Sequence, residues 1–185
     1  MITKQDAFKI VREKLDAEYD ILEESTVEKD YGWIVFPQTK TYINTQNFEE
    51  MAVGSGGILV EKLSGRTVQF GSAYPTETNI KIYEAGYLNH DNFDLVITET
   101  TNIEEALNLL SHLSIVYVKP EIESDVTWRI PTPFTKSQLR DKLAVLPCKF
   151  NLGNLYFKWE TLERMKTSSA LKYELTANDG FRNEI

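Results

Sequence analysis

The sequence is poor in residues that do chemistry. Its 185 positions include one cysteine, Cys148, and two histidines, His90 and His112. A lone cysteine excludes an internal disulfide framework and suits a reducing cytosol. No apolar run approaches the ~20 residues that cross a bilayer. The opening MITKQDAFKI places charges where an export signal needs an unbroken apolar stretch, so a cytoplasmic protein is expected. Bases are in the minority, with 20 Lys and Arg against 28 Asp and Glu and a net charge of −8. Binding to polyphosphate rests on cations, so neither nucleic acid nor an anionic membrane is an expected partner. The acidity either steers a basic partner into contact or keeps the protein soluble. Apolar residues at 42% and charged residues at 26% argue against wholesale disorder and for a real core.

No catalytic set assembles from this inventory. His90 falls in a predicted linker and His112 late in a predicted helix, and nothing local pairs either with Cys148. The glycines of GSGG at 54–57 resemble a phosphate loop, but the Lys-Ser/Thr that would reach a phosphate is missing. A strand rather than a helix follows, so a backbone turn explains them better. Glu121, Glu123 and Asp125 alternate, which puts three carboxylates on one side of an extended chain. A calcium site needs about 6–8 oxygens in a shaped loop, and no such loop pattern is present. A solvated acidic edge that discourages sheet aggregation is the expected role. Beside it, Trp128-Arg129 reads either as an exposed anchor or as a packed strand pair. No catalytic residue, metal or cofactor is expected.

The periodicity points to an α+β protein: a small antiparallel sheet packed with an N-terminal helix, plus a second α/β-type subdomain. Thr3-Lys4-Gln5-Asp6 reads as a helix cap, and Phe8, Val11 and Leu15 predict an amphipathic helix over 4–17. Strands follow at 22–29 and 31–43, the second apolar on both faces around Trp33, Ile34, Val35 and Phe36. Pro37 marks an edge, a bulge or the end of pairing. A helical turn at 46–53 precedes a hairpin with strands at 58–63 and 66–73 around Ser64-Gly65. A short helix over 77–86, capped by Thr76, turns Ile80, Tyr83 and Tyr87 inward. Residues 89–92 form a linker, dividing a domain at 1–88 from one at 93–185. The second half reads as a strand at 93–99, a helix opened by a capping box at Thr101–Glu104, and a strand at 115–118. These make either a crossover unit or an antiparallel arrangement. A strand at 126–130 follows, then a capping box at Thr135–Gln138 opening a helix that buries Leu139 and Leu143. A strand at 154–158, a helix near 159–168, a strand near 171–176 and a frayed tail complete the chain.

Several short motifs of the first half, taken in order, resemble the immunity protein 35 family of bacterial polymorphic toxin systems. These are the capped helix, the acidic link, Asp30-Tyr31-Gly32-Trp33-Ile34-Val35-Phe36, Gly54-Ser55-Gly56-Gly57-Ile58-Leu59-Val60, Lys62-Leu63-Ser64-Gly65-Arg66 and Ile82-Tyr83-Glu84. The resemblance covers about residues 3–86. Gly57 departs from it, standing where the family often has proline. The resemblance implies a non-catalytic cytoplasmic protein that binds and silences a cognate toxin in competition between bacteria. It also implies structural roles for Trp33, Phe36, Gly54, Gly56 and Gly65. Trp33 is expected as a core anchor rather than a partner contact.

The expected toxin contacts are acidic. Eight acids lie between Glu13 and Asp30 against two lysines. Asp16, Glu18, Asp20, Glu23, Glu24, Glu28 and Asp30 are the candidate residues, fitted to a toxin with a basic active-site cleft. The competing account is a solvated helix end and linker. Two other classes remain open: a chaperone-like stress protein that binds unfolded clients, and a small hydrolase using Cys148. Oligomeric state is not legible in the sequence.

Overall fold

The structure, a computed structural model, describes residues 1–54, 56–123 and 126–178. Asp125 of the acidic alternation and residues 179–185 of the expected tail lie outside the described residues. The fold is α+β, with every strand pairing antiparallel. The chain divides into two compact units, Met1–Lys81 and Ile82–Ile185.

Helix α1 (Lys4–Arg12) begins as expected, with Thr3 Oγ1 accepting from the Asp6 N–H and Asp6 accepting from the Thr3 N–H. It is shorter than the predicted 4–17. Glu13 closes the helix, and the chain reverses through a turn in which the Tyr19 N–H donates to the Asp16 carbonyl. The expected strand at 22–29 is a 3₁₀ turn at Glu23–Ser25 followed by β2 (Val27–Lys29), and an unexpected short strand, β1 (Tyr19–Ile21), precedes it. The expected strand at 31–43 is also divided. β3 (Gly32–Val35) stops at Phe36, and β4 (Pro37–Thr39) leaves its sheet to pair with β1. Pro37 is where regular pairing ends, as its missing N–H predicts. Helix α2 (Lys40–Thr45) replaces the end of that strand, because the Thr39 hydroxyl accepts from the Tyr42 N–H and caps it. The helical turn expected at 46–53 is a 3₁₀ turn at Phe48–Glu50.

The main sheet of this unit orders β2-β3-β5-β6, with β5 (Ile58–Glu61) and β6 (Thr67–Gln69) as the predicted hairpin. Ala7, Phe8 and Val11 of α1 pack with Ile21, Val35, Ile58 and Val60. Ile34 and Leu59, pointing to the opposite face, are also fully buried. Close approaches here need bare backbone: a Cβ on Gly32 in β3 would collide with the Val60 carbonyl, and one on Gly56, just before β5, with the Phe70 carbonyl. Gly65 turns the hairpin at φ +70°.

Helix α3 (Thr76–Glu84) follows. In the second unit, β7 (Phe93–Thr100) is the centre of a three-stranded sheet, flanked by β10 (Cys148–Gly153) and β11 (Leu171–Ala177). Helix α4 (Ile103–His112) starts one residue later than its expected box. Thr101 Oγ1 is committed to the Ser169 carbonyl, and Asn102 Oδ1 accepts from the Glu105 N–H instead. β8 (Val116–Glu123) and β9 (Val126–Pro133) form a two-stranded hairpin, longer than either predicted strand. Helix α5 (Lys136–Leu143) has the expected capping box, and it buries Leu139 and Leu143. The strand expected at 154–158 is a 3₁₀ turn at Tyr156–Lys158, because Asn154 Oδ1 accepts from the Tyr156 N–H and curls the backbone. Helix α6 (Trp159–Thr167) precedes β11.

Candidate partner-binding surface

The acidic link is built around a cation that the sequence reading passed over. Arg12 ends α1, where a base is favoured by the helix dipole. Its Nε lies 2.8 Å from Asp20 Oδ1 and its Nη2 lies 2.7 Å from Glu23 Oε1, so one guanidinium joins two of the expected contact acids. The hydrogen bond from Arg12 holds the Asp20 carboxyl below its usual range, and the same bonds push the Arg12 guanidinium up. The signal for this was present: a base in the last helical turn, immediately before the most acidic window of the chain.

Glu28 is also matched. Lys62 Nζ sits 2.7 Å from Glu28 Oε1, donates to the Lys29 carbonyl at 2.7 Å, and lies 4.7 Å from the centre of the Trp33 ring. Asp16, Glu18, Glu24 and Asp30 are exposed, and no ion pair joins them among the described residues. The seven acids therefore divide into three that are tied down by cations and four that face solvent.

Between α1 and the link, Arg12, Leu15, Asp16, Tyr19, Asp20 and Lys40 border a hollow of about 180 Å³. Its wall is held by Lys40 Nζ, which donates to the Ala17 carbonyl at 2.7 Å. Small-molecule sites run to about 300–1,000 Å³, so this hollow is undersized for one. Its two cations and two carboxylates leave it without a dominant charge. The surface presents discrete carboxylates on a braced backbone.

Trp33 is half-buried, packed against the core under α1. Its Nε1–H donates to the Ile2 carbonyl at 3.1 Å, and the Ile2 N–H donates to the Lys62 carbonyl at 2.7 Å. Phe36 is half-buried, and Gly54 is exposed at φ +82°.

The candidate chemical groups are spread apart in environment. Cys148 is buried on β10, and desolvation pushes its thiol up, away from the reactive thiolate. His112 Nδ1 lies 2.7 Å from the Asn108 carbonyl at the exposed end of α4. His90 meets the edge of the Phe93 ring, with centres 5.6 Å apart. Glu121 pairs with Lys119 at 2.8 Å on β8. Among the described residues, no three His, Cys, Asp or Glu side chains are grouped to hold a metal ion, and no helix is long and apolar enough to cross a membrane.

No curated protein and no solved structure gives a significant match to the chain. A family model does match, over the helix, the acidic link and the sheet just described. Residues 5–84 match the model for immunity protein 35, the family that the motifs of the first half resemble.

Proposed function

We propose that this chain is an immunity protein that binds a cognate bacterial toxin in the cytoplasm and neutralises it by occlusion, without catalysis. The observation that carries this reading is the family match over residues 5–84. The surface supports it. Four unpaired carboxylates on a braced link favour fast, steered association with a basic cleft. A buried, high-pKa thiol is a poor nucleophile, which weighs against a hydrolase built on Cys148.

The test takes the C-terminal domain of the protein encoded next to this gene as the candidate toxin. Co-expression should rescue growth, and the two purified proteins should form a stoichiometric complex. Lys substitutions at Asp16, Glu18, Glu24 and Asp30 should slow association, most of all at low salt, without unfolding the protein. Unchanged association at every salt concentration would remove the acidic link from the interface. Continued killing in the presence of the wild-type protein would remove the function itself.

A further inference from the structure

The β8–β9 hairpin has features that the fold of the second unit does not use. Its base is packed: Tyr117 is buried and its ring lies 4.9 Å from that of Phe134, which meets Phe150 edge-on at 5.7 Å. Beyond Val118 and Thr132 every described side chain of both strands is exposed. An isolated two-stranded ribbon is marginal in water, so an outer half without packing is an unusual thing to keep.

The register sorts its side chains. Directly paired residues share a face, and the pairs Lys119–Ile130, Glu121–Trp128 and Glu123–Val126 place Val126, Trp128 and Ile130 in one stripe along β9. Trp128 is 54% exposed, Val126 50% and Ile130 41%. The ion pair between Lys119 and Glu121 runs beside the stripe on β8.

The edges are poor templates for further strands. The Phe134 N–H donates to the Ile115 carbonyl at 3.1 Å, which fixes which alternate pairs exchange hydrogen bonds. Pro120, Pro131 and Pro133 all fall on the other pairs, whose backbone groups point outward. Pro120 removes one outward donor from β8, and Pro131 and Pro133 remove two from β9, so each edge is a weakened template for an added strand and the face is the better surface for a partner.

We propose that this hairpin is a docking arm whose Val126–Trp128–Ile130 stripe packs on an apolar wall of the toxin, inside a cleft of positive charge. The charge follows from the sequence of the arm: its tip, residues 121–128, holds three acids and no base, and with Lys119 and Arg129 the arm as a whole is net −1. The same charge disfavours an anionic membrane as the occupant. The inference rests on the immunity reading and assigns the second unit a part in it.

The probe is again that candidate toxin domain, titrated against the full-length chain. Trp128→Ala should weaken binding by about 30-fold or more, as truncation of a buried interface tryptophan does. Ile130→Ser should weaken it in the same direction, while Thr127→Ala, on the opposite face, should bind as the wild type does. Thermal melts of all three variants should lie close to the wild type, because these side chains are not part of the buried core. Wild-type binding with both stripe variants unimpaired would overturn the arm and leave the immunity function standing. A wild-type chain that does not bind the toxin would overturn both. A wild-type dimer that Trp128→Ala makes monomeric, with toxin affinity unchanged, would assign the stripe to a second copy of this chain and also overturn the proposal.

Discussion

The ammonium of Lys62 lies 4.7 Å from the centre of the Trp33 ring while the ring nitrogen donates to the Ile2 carbonyl. Trp33 thus holds three strands and the N-terminal segment in register, with a cation over its face and a hydrogen bond at its edge. Trp33→Ala should destabilise the protein by about 3 kcal/mol. Trp33→Phe keeps most of the packing and loses the bond to Ile2, for a loss of about 1 kcal/mol. Urea denaturation of the two variants checks the order. Equal losses would mean that the ring area is not what matters.

Arg12 makes a different kind of contribution. Its side chain and that of Asp20 are 43% and 38% exposed, so solvent screens the pair. Arg12→Gln should lower stability by less than about 1 kcal/mol. Its larger effect should be on the link: freed of Arg12, Asp20 and Glu23 add to the exposed negative charge. The variant should associate with a basic toxin domain at least as fast as wild type at low salt, measured by stopped flow. Slower association would show that bracing the link matters more than its charge.

Local signals carried much of this fold. The Thr3 and Thr135 capping boxes, the β5–β6 hairpin and the break at Pro37 each rest on residues within four positions of one another. The errors lie where a distant group decides. Thr101 does not cap α4: its hydroxyl donates to the Ser169 carbonyl, far along the chain, and Asn102 caps the helix instead. Strand β10 was not read at all: Pro147 precedes it and Asn151 interrupts its apolar pattern. Asn151 is tolerated there because its amide donates to Asp94 on the neighbouring strand at 3.0 Å. At the surface, the acids were legible but their cations were not, since Lys62 reaches Glu28 across 34 positions. The tryptophan of β9 was noticed without a way to choose between core and anchor. Its exposure, visible only once the strand is placed, sets it outside the buried core.

Cys148 gives a simple check on the second unit. It is buried in β10, opposite Ile97 on β7, and burial raises its thiol. A chromogenic disulfide reagent at pH 8 should leave the native thiol unmodified and react fully once urea passes the unfolding midpoint. Rapid modification of the native protein would place Cys148 at an accessible, activated position and return the nucleophile reading to consideration.

Asp94 supplies the pH dependence. It is 3% exposed at the centre of the β10-β7-β11 sheet. Its Oδ1 accepts from Asn151 at 3.0 Å and Asn178 at 2.9 Å, and its Oδ2 meets Lys149 Nζ at 2.5 Å. Burial alone would raise the carboxyl, and the bonds from Lys149, Asn178 and Asn151 outweigh it, so the group is held below its usual range of 3.8. A depressed folded-state pKa stabilises the fold above the unfolded value and stops doing so as pH falls through the folded one. Asp94→Asn turns an acceptor of three bonds into a group with its own donors, and should cost about 2 kcal/mol at pH 7. Comparing both proteins by urea denaturation from pH 7 to pH 2 removes the background of other carboxylates. The gap between them should be constant down to about pH 4 and narrow below it. A gap that persists unchanged to pH 2 would mean that the carboxylate's charge contributes nothing, and that shape alone holds Asn151 and Asn178 in place.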